Sequence, residues 1–281
     1  MSSGSSLGGV ALAAAAAVCF DGALAFQAAE ARREDAMRAG HLLARLVRRP
    51  RWLLATGLAV VGWPLQLAAL SLAPVTLVQP TLAFGLVVLL AASAVVLHEP
   101  VGRVEVAGAL AIIGGVVVLT LVAPSHEDSH SGLVSLLAVI APLAVLALTP
   151  WLRHGRGRPA ALGAAAGFVA TGLTTKLVSD GLGTGDVLAI VGWGVLTALL
   201  AVAAAADDMG AMQDLPASRV APAILVAEIV GPVLLAPFLF GERWSQTPGG
   251  GVWIVVGLVA VLCGALPLAA STTSAAAGSE A

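Results

Sequence analysis

The chain has 281 residues, of which 59% are hydrophobic and 11% charged, and its mean hydropathy is +0.98. A water-soluble fold of that composition would have to expose a large apolar surface, so lipid is the solvent for most of the chain and no room is left for a soluble catalytic domain. The formal net charge is -2, with arginines gathered in a few short connections, a pattern that speaks to membrane topology and not to nucleic-acid binding.

A bilayer core about 30 Å thick takes roughly 20 apolar residues per helical span. The first apolar run, 7–29, follows a Ser/Gly leader without Lys or Arg. A secretory signal peptide has a positive leader and a shorter apolar stretch, so this run reads as a retained helix. Further runs cover 52–72, 74–97, 101–122, 132–149, 160–179, 187–214, 217–240 and 251–270. The expected fold is therefore an all-α membrane protein of about nine transmembrane helices. The tail from Ser271 is small and polar and is expected to be disordered. Cys19 and Cys263 both fall in apolar helices, where a thiol behaves as a small hydrophobe, and suggest neither a disulfide nor a thiolate metal site.

The connections carry the topology. Arg32, Arg33, Arg38, Arg45, Arg48, Arg49 and Arg51 lie between the first two runs, where 41–47 has the pattern of a short amphipathic surface helix. The positive-inside rule makes this loop cytoplasmic. Alternating from there puts Arg153, Arg156 and Arg158 inside, and the loops 125–131 and 180–186, which lack Lys and Arg, outside. The N-terminus then faces outward and the C-terminus the cytoplasm, in the cell membrane. Trp52, Trp151, Trp244 and Trp253 fall near span ends, as interfacial indoles do.

A weak internal repeat accompanies this topology. A shift of 143 residues, the separation of Glu99 and Glu242, also brings Leu72 onto Leu215, Gly108 onto Gly251 and Gly114 onto Gly257. Glu99 would lie inside and Glu242 outside, so the two units are expected to be inverted, as in alternating-access carriers. The units are 1–130, with four helices and the basic loop 30–51, and 131–270, with five helices; 271–281 is the tail.

The run Ala73-Pro74-Val75-Thr76-Leu77-Val78-Gln79-Pro80, a helix ending at Glu99 and a helix with Gly108, Gly114 and Gly115 resemble the drug/metabolite transporter (EamA-like) superfamily. The chain looks closest to its NIPA-like branch and to uncharacterised actinobacterial members. Gln27 before the basic loop, Lys176 in Gly172-Leu173-Thr174-Thr175-Lys176, and the segment 215–242 fit the same likeness. The resemblance implies small metabolites, drugs or, in the NIPA-like branch, Mg²⁺ as cargo. The NIPA-like pattern has an acid in the second helix where this chain has Gly62-Trp63, which speaks against magnesium.

A charge at the centre of a membrane helix costs about 2.5 to 3.5 kcal/mol on insertion scales, so each one needs a partner, a wet cavity or a function. Glu228 lies mid-span between Pro222 and Pro232, whose missing amides free carbonyls toward a cavity, and is expected to bind a proton or cation or else to be a structural acid. Asp21 falls two thirds of the way along the first run. Lys176 either snorkels to the headgroups or turns inward to neutralise Asp21 or Glu228, exchanging that partner for a substrate anion. Asp207 and Asp208 belong to a solvated loop if the seventh helix stops at Ala206, and to the membrane if it runs to Asp214, as the repeat implies. Gln79 beside Pro80, near the middle of the third span, offers a polar amide and a freed carbonyl to a pocket, and Gln27 completes the candidate set.

Other features point elsewhere or nowhere. His126-Glu127-Asp128 with His130 has divalent-cation spacing but sits in a short exposed loop, so no dedicated metal site is expected. Gly249-Gly250-Gly251 lacks the strand and the Lys-Ser or Lys-Thr of a phosphate loop. Gly108, Gly114, Gly115, Gly163, Gly167 and Gly172 are expected to permit close helix packing. No nucleophile and base cluster, so an enzyme is not expected, nor any cofactor. The expectation is a secondary transporter for a small solute or ion, with the bilayer as its other partner, no nucleic acid, and no sign of oligomerisation. The alternatives are a Mg²⁺ carrier or a non-transporting membrane scaffold.

Overall fold

The computed structural model describes residues 3–31, 45, 47–88, 102–124, 131–153, 157–215 and 217–278. Among them all regular structure is helical: α1 (Ser3–Ala31), α2 (Pro50–Leu72), α3 (Val75–Leu82), α4 (Arg103–Val122), α5 (Leu133–Arg153), α6 (Arg158–Thr184), α7 (Val187–Asp214), α8 (Ala217–Leu239) and α9 (Val252–Gly278). Seven of these, α1, α2, α4, α5, α6, α7 and α9, are long and apolar enough to cross a membrane; the apolar helices at Val75–Val88 and Ala223–Leu239 are shorter. The surface confirms the solvent, because Leu54, Leu110, Val134, Leu188 and Phe238 all stand exposed on helices, a belt that only lipid accommodates. This is a multi-pass membrane protein.

Neighbouring helices run antiparallel, as their close approaches record. A side chain at Gly9 would meet Ala73 and one at Gly62 would meet Phe20, which sets α1 against α2. Gly167 meets Ala204 and Gly181 meets Ile190, which sets α6 against α7. Gly108 lies on the Gly264 carbonyl and Gly115 on the Gly257 carbonyl, so α4 and α9 cross backbone to backbone. Small residues let helices approach where lipid gives no hydrophobic drive for association. Five of the six glycines expected to serve packing do so; Gly114 faces open space.

α6 is the central element, with residues 172–181 buried without interruption. Parallel to it runs α2, fixed by Trp63 Nε1 donating to Thr175 Oγ1 (3.4 Å) and Ser179 Oγ donating to the Leu67 carbonyl (3.1 Å). α2 and α6, and α4 through its antiparallel crossing with α9, begin at one end of the bundle, which carries the exposed Arg48, Arg51, Arg103 and Arg158 and is called the arginine end, although a single exposed arginine, Arg243, lies at the other. The opposite end holds the α2–α3 corner, the end of α8 and the two short 3-10 turns that precede α9. In those turns Gly249, Gly250 and Gly251 all adopt positive φ, a conformation glycine takes without a Cβ penalty.

Two boundaries differ from the sequence reading. α6 continues to Thr184 and stops on Gly185 in the left-handed conformation, so Asp180 belongs to a buried helical turn and not to an outer loop. α9 continues to Gly278, so 271–278, expected to be disordered, are helical; the alanines there extend an existing helix at little cost. α3 is interrupted at Ala83, where the amide turns back to Pro80 and the chain resumes helix from Phe84. Arg32, Arg33, Arg38, Arg156, Glu99, most of 41–47 and the His126 to His130 group lie outside the described residues.

Candidate functional site

Two groups of buried polar side chains stand at different heights along α6. The first belongs to the end of the bundle away from the arginines. Lys176 Nζ lies 2.5 Å from Asp180 Oδ1, one helical turn on, and both side chains are fully buried. The ammonium also reaches the Leu70 carbonyl at the end of α2 (3.5 Å). Lys176 therefore does not snorkel: it is committed to Asp180, which corrects the expectation that it meets headgroups, Asp21 or Glu228. An i,i+4 pair on one helix is sterically natural.

Beside this pair, Glu242 occupies the start of α3. Its Oε1 accepts from the Val75 amide (2.6 Å), both oxygens take the Thr76 amide (3.3 and 3.4 Å), and the Thr76 hydroxyl donates to Oε2. Trp244 Nε1 donates in turn to Thr76 Oγ1 (3.1 Å). The first turn of a helix presents unpaired amides and the positive end of the backbone dipole, and the preceding Ala73-Pro74 supplies no side-chain cap, so a carboxylate from a distant segment fills the role. Burial pushes the Glu242 carboxyl above its ordinary range, while the Thr76 hydroxyl, the two amides and the Lys176 ammonium pull it back.

The second group lies nearer the arginine end. Asp207 and Asp208 sit inside α7, which runs unbroken to Asp214, and are 1% and 4% exposed, so the membrane reading of these acids holds and the loop reading fails. Adjacent residues on a helix diverge by about 100°, and the two acids do face different neighbours. Asp207 lies against Gly163 on α6, with Pro150 and the Trp151 indole of α5 beside it. Asp208 turns toward Glu228 on α8, which is also near enough to Asp21 on α1 for the two to interact through charge. Asp21 and Glu228 are half-buried. The Asp21 carboxyl is seated against Gly85, in the helical stretch that resumes after α3, where any Cβ would collide with it. Asp207 Oδ2 and Asp208 Oδ1 have no hydrogen-bond partner among the described residues.

Between the groups lies Gln79, 2% exposed, at the crossing of α3, α6 and α8. Its Nε2 rests against Gly172, next to Pro232, and has no hydrogen-bond partner among the described residues. Thr197 Oγ1 donates to Thr174 Oγ1 (2.8 Å) at the same height, tying α7 to α6. Gln27 lies in α1, and its side chain is outside the described residues. Among the described residues no three His, Cys, Asp or Glu side chains are grouped closely enough to hold a metal ion.

The structure thus gathers Asp21, Asp208 and Glu228, places Asp207 on the neighbouring face, and separates Lys176 from all of them. At about 1.5 Å per residue, Gly163 beside Asp207 and Lys176 beside Asp180 stand roughly 20 Å apart along α6. Sequence reasoning missed Asp180, whose spacing of four from Lys176 was the available signal, and missed Glu242, Thr76 and Trp244 as one hydrogen-bonded unit, which no local spacing reveals. No protein-family model, no curated protein and no solved structure matches the chain.

Proposed function

We propose that the protein is a secondary transporter of the drug/metabolite transporter type, moving a small solute across the cytoplasmic membrane, with the Asp21, Asp208 and Glu228 carboxylates binding a proton or cation during the cycle. The observation that carries this reading is that acids from α1, α7 and α8 come within charge range inside an apolar bundle, with no Lys or Arg paired to them among the described residues. Leaving carboxylates unpaired in a membrane is expensive, and a protein that needed them only for packing would pair them, as it pairs Asp180. A binding step that must precede the return of the carrier accounts for their presence.

Nine spans in two inverted units form the supporting frame. The antiparallel pair α1/α2 has its counterpart in α6/α7, α3 meets α8, and α4 crosses α9, each second member following the first along the chain in the same order. The tightened turn at Ala83, two residues before the Gly85 that meets Asp21, is a local irregularity of the helix next to the acid group. Arg48, Arg51, Arg103 and Arg158 gather at one end against Arg243 alone at the other, an excess that by the positive-inside rule supports a cytoplasmic position for the first end and for the C-terminus. The alternative, a Mg²⁺ carrier, would collect several oxygen ligands around one ion, and no three His, Cys, Asp or Glu side chains among the described residues are grouped in that way. A non-transporting scaffold would have no use for unpaired acids.

The test begins with a thermal-shift screen of the purified protein against metabolites, amines and divalent ions, since a ligand of the folded carrier raises its apparent stability by mass action. Cysteines placed along α8 and probed with a water-soluble thiol reagent then separate carrier from scaffold. The transporter reading expects labelling on the face of Glu228. Protection along the whole helix would favour the scaffold.

A further inference from the structure

The polar junction at the start of α3 is not used by the proposed coupling site, and its construction is unusual for a packing contact. A buried carboxylate from the connection after α8 holds two backbone amides and a hydroxyl of a helix on the other unit, and an indole from the next turn closes on the same hydroxyl. The Lys176–Asp180 pair lies alongside, with Lys176 acting on Glu242 through charge and touching the last turn of α2 at Leu70. The groups facing Glu242 from the packed elements are thus Lys176 of α6, Thr76 of α3 and Trp244 of the following turn. Around these polar groups Leu70, Ala73, Leu239 and Phe240 close the junction with no exposure above 2%, and the Ser131 amide donates to the Leu239 carbonyl (2.7 Å).

Resting on the transport reading, we propose that Glu242 is the gate residue of this end of the carrier: its bonds to Val75 and Thr76 hold α3 against the α8–α9 connection, so that the structure is shut at the end away from the arginines, and release of Glu242 from α3 opens it. The chemistry suits a gate. Every bond Glu242 makes is to an amide or hydroxyl that water can replace once the junction parts, whereas an apolar seal has no such exchange partner. Pro74 before α3 and the glycines Gly241 and Gly249 to Gly251 around the connection leave the two sides without regular hydrogen bonds to each other, so few backbone bonds need break. Asp180 and Lys176 stay paired in either state, so the pair adds no net charge to the buried side of the junction.

Distances between spin labels test this on the full-length protein in lipid nanodiscs. Ser71 and Ser245 are exposed and flank the junction, and cysteines there, with Cys19 and Cys263 replaced by alanine, report on its opening. Arg48 and Arg158, also exposed, report on the opposite end. The Glu242→Ala variant is expected to shift the closed-to-open ratio at the Ser71/Ser245 pair by about tenfold or more, the loss of hydrogen bonds to a charged group. Glu242→Gln, which retains one acceptor, shifts it less, and Trp244→Phe, which removes one donor and spares the fold, shifts it least but in the same direction. The Arg48/Arg158 pair narrows or is unchanged. Superimposable distributions for Glu242→Ala, Trp244→Phe and the parent would overturn the gate, as would equal broadening at both ends, which signals a merely structural role. The readout needs no cargo: a shift without any flux upholds opening at this junction while removing the transport reading, and flux without a shift does the reverse.

Discussion

The two buried polar groups of this bundle obey different rules. At the end away from the arginines, Lys176 is matched by Asp180, and Glu242 by the amides and hydroxyl at the start of α3, so the buried charges there have close partners. Nearer the arginine end, Glu228 lies within charge range of both Asp21 and Asp208, with no cation from the described residues paired to them. Both groups belong to the same bundle and lie in apolar surroundings, on different elements. The difference teaches that the bundle is able to neutralise buried charge and does so where rigidity is wanted, and that the unpaired acids are a local departure tied to use.

The comparison breaks most visibly if the charge on the matched side is removed. Lys176→Met strands Asp180 in the core and is expected to cost about 3 to 5 kcal/mol, the loss seen when one member of a buried pair is deleted. Thermal unfolding in detergent measures it, and adding Asp180→Asn should return most of the loss. An equal fall for the single and double variants would mean that the pair is not what holds α6.

Flux gives the next effect. With a ligand identified by thermal shift, Glu228→Gln in proteoliposomes should lower pH-gradient-driven uptake by about tenfold or more, as expected when a single group carries coupling of 1 to 3 kcal/mol. Packing follows: Gly85→Ala would push a methyl into the Asp21 carboxyl and to 2.9 Å from the Ala17 carbonyl, and should destabilise by about 1 to 3 kcal/mol. The smallest effect has the opposite sign. Asp208→Asn removes like charge from the acid group and should stabilise by about 0.5 to 2 kcal/mol while impairing transport, the usual trade at a functional site. Destabilisation by Asp208→Asn would mean that this acid is a structural partner after all.

Much of this arrangement was legible in the sequence, because the length of an apolar run and the position of arginines answer directly to bilayer thickness and surface charge. The membrane character followed from runs of about 20 residues; for Asp207 and Asp208 hydropathy offered a loop and the shift that aligns Glu99 with Glu242 offered a helix, and the helix is what the structure has. Asp180 was misplaced because it opens the glycine-rich stretch 180–186, which reads as a loop, whereas Lys176 one turn earlier lets the carboxylate stay buried in the helix. The Glu242 junction joins residues 166 to 168 positions apart, a separation over which neither periodicity nor spacing carries information. Asp21 against Gly85 was hidden for the same reason, since only the packed bundle shows that the glycine makes room for the acid.

The central claim, that unpaired membrane carboxylates serve coupled transport, is met most directly by one measurement: uptake of the screened ligand into proteoliposomes, with and without an imposed pH gradient, for the parent and for Glu228→Gln. Acceleration of uptake by the gradient in the parent and its loss in the variant is the predicted result. Identical uptake by both proteins, with the same dependence on the gradient, would contradict it.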